Sequence, residues 1–251
     1  MKLSHIRRYA NRAIDIAPQL IHHPDHLVAA ARRVHVGVLG SLDKVWLRDL
    51  KFAVILDIGA NSGQFARAAH HVFPNARIYS FEPLPGVFSE MQRRMSGISQ
   101  FRGFASAIGN EDSVITIHES SSSPSSSILP MTSEHTGAFP WTEGGRDVEV
   151  EIHRLDYFFP QLDLNGRVLL KIDVQGFSRE VLYGATETLK LTDTVFIETS
   201  FVQLYEGEPT FDEIYQLMRD AGFEFVGLLD HLEHPQTGKI LQGDAIFRRV
   251  A

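Results

Sequence analysis

From Val54 onward the chain alternates short, β-branched apolar runs with amphipathic helical segments. "AVILDIG" precedes "GQFARAAHHVF", and "ARIYSFEP" precedes "GVFSEMQRRM". "RVLLKID" precedes "SREVLYGATETL", and "TVFIETS" precedes "TFDEIYQLMRDAG". Runs apolar at nearly every position suit strands buried on both faces. Their alternation with helices predicts βαβ units: an α/β chain with a mostly parallel sheet and helices on both faces.

Between Asn110 and about Gly166 that order lapses. "SVITIH" and "RDVEVEIHRL" alternate at period two and predict an antiparallel pair. They form a β insert placed before the fourth parallel strand. The serine-rich stretch between them turns apolar at "SSSILPM". The expectation is an ordered loop covering the site, with a plain flexible loop as the alternative. "FRGFASAIG" reads as a third strand and its loop. "FEFVGLLD" and "DAIFRRV" read as two closing strands, joined by the long connection "HLEHPQTGKILQG".

With 251 residues, 43% of them hydrophobic, one α/β domain can use the whole length. Residues 1–50 read as a helical segment broken at "HHPDH", and 51–251 as the main domain. The stretch "MKLSHIRRYANRAIDIAPQL" reads as an amphipathic helix rather than a signal peptide. Lys2, Arg7, Arg8 and Arg12 are expected on its solvated face, with surface docking as the alternative. There are no cysteines, which excludes disulfides and thiol nucleophiles and fits a cytoplasmic location. A formal net charge of −7 argues against a broad nucleic-acid face. No apolar run approaches the roughly 20 residues of a membrane span.

"DIGANSG" places Asp57, Gly59, Asn61 and Gly63 at a strand-to-helix turn. Glycines there let backbone amides approach a ligand. The spacing is not the Gly-x-Gly-x-x-Gly of a dinucleotide fold, and an acid at the strand end repels a pyrophosphate. It suits a ligand with a cationic end, such as S-adenosylmethionine. Glu82 ends the second strand, placed to accept hydrogen bonds from a ribose diol, and Pro83 then breaks that strand.

"ILDIGANSGQFA", "IYSFEPLPGVF", "SAIGN", "SSSIL", "VEIHRLDYF", "LLKIDVQGFSREVLYGA", "FIETS" and "DAIFRR" together resemble the FkbM-type methyltransferases over about Val54 to Arg249. The resemblance implies a class I, Rossmann-like fold: a seven-stranded sheet with its last strand antiparallel. It implies an S-adenosylmethionine-dependent O-methyltransferase, acting on a hydroxyl of a sugar, a glycolipid or polysaccharide, or a glycosylated or polyketide natural product. Asp57, Gly59, Asn61, Gly63, Glu82 and Pro83 match the cofactor loop and ribose site, and Ser106 and Ala107 the adenine neighbourhood. Asp173 matches the acid beside the transferable methyl. Where the commoner family form has two further acids, this chain has Gln175 and Ser178, so no acid role transfers there. Residues 1–50 lie outside the resemblance and are expected to be a lid, an acceptor-binding segment or a homodimer contact.

A sugar hydroxyl needs a base during attack. Asp173 is the first expectation, with cofactor binding or helix capping as the alternative. Glu198 is placed similarly on the next strand, with a structural carboxylate as the alternative. His135 is the catalytic histidine expected from the insert. Gln175, which can donate and accept but not act as a base, is expected to orient the acceptor or cofactor. Trp141 and Tyr205, with Phe139, are expected to stack on the acceptor or pack in the core. "DHLEH" groups acids and histidines, but polar loop is the favoured reading and no metal is expected. A nicotinamide-dependent oxidoreductase and a catalytically silent cofactor-binding module are the competing functions.

Overall fold

A computed structural model describes residues 34–120, 126–142 and 144–250. The N-terminal amphipathic helix, the "HHPDH" break and part of the serine run lie outside the described residues. Two helices, α1 (Val36–Leu42) and α2 (Val45–Arg48), lead into the main sheet.

The sheet is built from β1 (Val54–Ile58), β2 (Arg77–Phe81), β3 (Phe101–Phe104), β7 (Val168–Ile172), β8 (Thr194–Ser200), β9 (Phe223–Glu233) and β10 (Ile240–Arg249). Its order is β3-β2-β1-β7-β8-β10-β9, with only β10 antiparallel to the strands beside it. This is the expected class I methyltransferase-like arrangement. β1 is buried at all five positions, because alternate side chains enter separate cores. Leu56 and Ile58 join one core with α6 (Ser178–Tyr183), α7 (Thr186–Leu191) and α8 (Phe211–Asp220). Ile55 joins the other with α1, α3 (Gln64–Val72) and α4 (Pro85–Met95).

The insert is a second sheet of order β4-β6-β5: β4 (Ala107–Ile108), β5 (Ser113–Ser120) and β6 (Gly145–His153). β5 and β6 pair antiparallel as expected. A helix, α5 (Ser133–Ala138), lies between them in the chain.

Three elements depart from the sequence reading. The loop after β3 contains β4, which pairs parallel with β6. The single helix expected over "SREVLYGATETL" is two. A Cβ on Gly184 would lie 1.8 Å from the Gly109 carbonyl oxygen, so backbone crosses there. Asp156 then starts the second helix, accepting from the N–H groups of Glu187 at 2.9 Å and Thr188 at 2.8 Å. The long closing connection is mostly strand. β9 and β10 extend through it, and only His234 to Lys239 remain as a turn closed by their own backbone bonds. β9 is an edge strand, largely exposed toward that end, so its polar sequence hides the pairing. No helix among the described residues is long and apolar enough to cross a membrane.

Candidate functional site

A cavity of about 580 Å³ opens at the C-terminal ends of β1, β2, β7 and β8, where open α/β sheets bind ligands. Its walls come from every part of the fold. The β1–α3 loop supplies Gly59, Ala60 and Asn61. The ends of β2 and β3 supply Glu82, Pro83, Ser106 and Ala107, and β7 and β8 supply Lys171, Asp173, Gln175 and Glu198. The insert adds Ile117, Ser126, Ser127 and Ile128; β9 and β10 add Asp230, Gln242 and Asp244. His35, Val38, Ser41 and Leu42 close the N-terminal side. The described part of the first 50 residues is therefore a wall of the cavity.

Gly59 has φ +72°, and a Cβ there would lie 1.8 Å from the Asp173 carbonyl oxygen. Only glycine allows the loop to lie against β7 this closely. Asn61 also has positive φ, +48°. Its backbone N–H donates to Glu82 Oε2 at 3.0 Å, while that of Leu84 donates to Oε1 at 2.9 Å. Glu82 is thereby fixed at the cavity wall with lone pairs to spare. Burial pushes its pKa from 4.5 up to about 7, against the two backbone donors.

Asp57 lies beneath this loop. It is fully buried and not part of the wall, so direct ligand contact, the sequence expectation, is replaced by a supporting role. Its register neighbours explain its partners. Lys171 on β7 places Nζ 3.2 Å from Asp57 Oδ1, and Ser80 on β2 donates to Oδ2 at 3.2 Å. Burial raises the Asp57 pKa, and the Lys171 charge opposes that rise. The same ammonium donates to the Gly59 carbonyl at 3.0 Å and reaches Asp173 Oδ2 at 3.4 Å. Burial alone would lower the Lys171 pKa; the charges of Asp173 and Asp57 outweigh it and raise it. Gly63 likewise lies outside the wall, with φ +82° at the start of α3, where an added Cβ would lie 3.2 Å from Met91 Cγ.

Gln175 is the hub of a second network. Its amide nitrogen donates to Asp173 Oδ1 at 3.0 Å and to Glu198 Oε2 at 2.8 Å, and its amide oxygen accepts from the Tyr205 hydroxyl at 2.8 Å. The backbone carbonyl accepts from Ser127 of the insert at 2.6 Å. Gln175 takes a left-handed conformation, φ +50°, to reach these partners. Its amide is spent on protein groups, so its polar end holds two carboxylates rather than the acceptor. Glu198 also accepts from Gln242 at 3.3 Å. Burial, then the charges of Asp173, Asp244 and Glu208, raise the Glu198 pKa well above the usual carboxylate range.

Three expected residues fall outside the cavity wall. His135 is buried, carried inward by α5, with ring centroids 5.0 Å from Tyr205 and 5.7 Å from Phe139. Neither ring nitrogen has a hydrogen-bond partner among the described residues, and burial lowers its pKa. Tyr205 is fully buried, anchoring Gln175. Trp141 packs edge-on against Phe139 at 5.6 Å and is half-exposed outside the cavity. Gly59, Asn61, Glu82, Pro83, Ser106, Ala107, Asp173, Gln175 and Glu198 are brought together in the wall.

Sequence reasoning missed Lys171 and Asp244. A lysine inside the apolar run "RVLLKID" was the available signal, since a charge in a doubly buried strand demands a partner. Asp244 sits opposite Glu198 in the β8–β10 register. Its signal was weaker: an acid opening an apolar run.

Residues 57–225 match the family model described as the methyltransferase FkbM domain. A relative from Sinorhizobium fredii, described as 2-O-methyltransferase NoeI, is 29% identical over 78% of this chain and 79% of its own length. The 31-O-demethyl-FK506 methyltransferase FkbM of Streptomyces tacrolimicus is 24% identical over 71% of this chain and 75% of its own. The crystal structure of a methyltransferase FkbM from Methylobacillus flagellatus is 13% identical, with a TM-score of 0.48, covering 79% of this chain and 44% of that one.

Proposed function

Since the chain belongs to the FkbM methyltransferase family, we propose that it is an S-adenosylmethionine-dependent O-methyltransferase acting on a hydroxyl of a saccharide or of a glycosylated or polyketide natural product. The observation that carries this reading is one cavity holding two strand-end carboxylates, Glu82 at the tip of β2 and Asp173 at the tip of β7. The described residues fit the cofactor. The Gly59 turn packs against β7 at the cavity wall, which brings its backbone beside Asp173. Glu82 keeps free lone pairs for a diol, and Pro83, Ser106 and Ala107 form the adjoining wall. The cavity's carboxylates outnumber its ammonium group, which suits a cationic ligand. A volume of about 580 Å³ lies within the range of pockets that enclose small organic ligands.

When bound, S-adenosylmethionine would supply an electrophilic methyl group on a sulfonium. The chain supplies position and electrostatics. Glu82 holds the ribose, and Lys171 keeps the Gly59 turn and Asp173 in register. Asp173, with its side chain 41% exposed in the cavity wall, would offer a carboxylate to the cationic part of the cofactor. The insert and α1 narrow the opening and exclude water from the acceptor hydroxyl.

Calorimetry is expected to give micromolar binding of S-adenosylmethionine, and NADH fluorescence no binding. Incubation with labelled cofactor should transfer the label to an oxygen of at least one acceptor in a panel. That panel would hold methyl pyranosides with a free 2-hydroxyl and 31-O-demethyl-FK506, the acceptor chemistry of the two relatives. Absence of both binding and transfer would end the reading.

Glu82 makes the affinity pH-dependent. A diol donates best to an ionised carboxylate, so S-adenosylmethionine affinity is expected to fall as pH drops through about 7. Folding has the opposite sign. The folded protein holds the Glu82 proton more tightly than the unfolded chain, so this residue's contribution to stability is lost as pH rises from 4.5 to about 7. Glu82→Gln should flatten the affinity profile and weaken binding about tenfold at pH 8. A pH-independent affinity in the parent protein would remove Glu82 from the ribose site.

A further inference from the structure

We propose that Asp244 is the general base that takes the acceptor hydroxyl's proton during methyl transfer. The inference rests on the O-methyltransferase reading and deepens it. Five carboxylates line the cavity: Glu82, Asp173, Glu198, Asp230 and Asp244. The four other than Asp244 each accept at least one hydrogen bond or ion pair from the protein. Both oxygens of Glu82 accept backbone N–H groups. Asp173 holds the Gln175 amide at 3.0 Å on one oxygen and the Lys171 ammonium at 3.4 Å on the other. Glu198 Oε2 accepts from Gln175 and Gln242, and Asp230 accepts from the His231 N–H at 2.8 Å. Among the described residues Asp244 takes no hydrogen bond and no ion pair.

Protonating Asp173 would weaken an ion pair and an amide bond together. Asp244 can take a proton without loss of any partner, because it has none. Its place on β10 supports the role. Asp244 is opposite Glu198 on β8, and Asp173 follows the last β7 residue paired to β8, so the three acids cross three adjacent strands. Asp244 is therefore one strand beyond Glu198, away from the Gly59 turn and Glu82. An acceptor hydroxyl held between Asp173 and Asp244 would turn its oxygen toward the cofactor wall and its proton toward Asp244.

The groups facing Asp244 tune it. Asp173 and Lys171 act from β7, Glu198 from β8 and Asp230 from β9. Asp244 is exposed in the cavity wall, and the protein packed around it, with the Asp173 charge, pushes its pKa up to about 7. A base with that proton affinity is ionised in useful amounts near neutrality and still accepts a proton readily. In the step itself, the hydroxyl oxygen forms its bond to the methyl carbon of the sulfonium. The methyl–sulfur bond breaks with its electron pair left on sulfur, and the O–H proton passes to Asp244. The products are a methyl ether, a neutral thioether and a protonated Asp244 that returns its proton to solvent.

Asp244→Asn provides the test. S-adenosylmethionine affinity by calorimetry should stay within about twofold of the parent, which also reports an intact fold. Turnover on an acceptor from the panel above should fall about 10²–10⁴-fold, and the acid limb of the pH–rate profile near 7 should vanish. An acceptor-free readout accompanies it: carbon NMR of the aspartate carboxyls. The signal lost in Asp244→Asn should titrate near 7 in the parent protein. Turnover within about threefold of the parent, an unchanged acid limb, or titration in the ordinary aspartate range would each overturn the assignment. Transfer by the parent to no acceptor would instead fail the O-methyltransferase reading, and the NMR titration would still decide Asp244.

Discussion

Lys171→Met is expected to destabilise the protein by about 3–5 kcal/mol, the usual cost of removing one partner from a buried ion pair. Asp57 is fully buried and Lys171 is only 12% exposed along its side chain. Methionine keeps much of the apolar stem but leaves the Asp57 charge facing only the Ser80 hydroxyl. It also removes the donor on the Gly59 carbonyl and the cation beside Asp173. Cofactor affinity should therefore fall together with stability. The pH dependence has a definite sign. Without Lys171, burial raises the folded-state pKa of Asp57 further, so the Asp57 contribution is retained at low pH and lost as pH rises. The gap between Lys171→Met and the parent should then narrow on acidification, as urea unfolding at several pH values would read. Adding Asp57→Asn should recover a large part of the loss, because the orphaned charge is gone. A single variant as stable as the parent would mean that the Lys171–Asp57 contact contributes nothing.

The parallel sheet was legible because the physics that makes it is local. Strands buried on both faces are apolar at most positions, and β1 and β7 carry only one charged residue each. The loop residues Gly59 and Asn61 and the strand-end acids Glu82, Asp173 and Glu198 were legible for the same reason. Each follows immediately from where a strand stops. What the sequence hid depends on register between distant strands. Lys171 meets Asp57 only because β1 and β7 align those two positions, 114 residues apart in number. Asp244 meets Glu198 only because β10 returns antiparallel with β-bulges along its other edge. His135 lies in the core rather than at the site, and Tyr205 takes its core-packing alternative, because burial is a property of the assembled insert. α5 and the β8–α8 connection close over each other and turn both rings inward. Gln175, expected to orient the acceptor or cofactor, donates its amide to Asp173 and Glu198 instead. An amide that donates to both holds those two acceptor oxygens in a fixed geometry.

Gly59→Ala should damage both the fold and the site. The residue combines φ +72° with a Cβ position 1.8 Å from the Asp173 carbonyl oxygen. Backbone cannot swing aside as a side chain can, so β1 and β7 must part at the point where both reach the cavity. The Lys171 bond to the Gly59 carbonyl and the Asp173 N–H bond to the Ile58 carbonyl resist that parting. A stability loss of about 2–4 kcal/mol is expected from the left-handed conformation and the overpacking together. The functional loss should exceed what instability explains. Moving the turn shifts Asn61 away from Glu82 on one side and the Asp173 carboxylate on the other, and misplacement of about 1 Å near reacting groups costs on the order of 10²-fold. Gly97→Ala is the control, since Gly97 has φ +89° but nothing within 4 Å of an added Cβ. It should cost only about 1 kcal/mol, with cofactor affinity unchanged. The comparison separates conformation from crowding: both variants share the first, and only Gly59→Ala has the second. Equal effects on S-adenosylmethionine affinity from the two would show that the close approach of the Gly59 turn to Asp173 does not build the site.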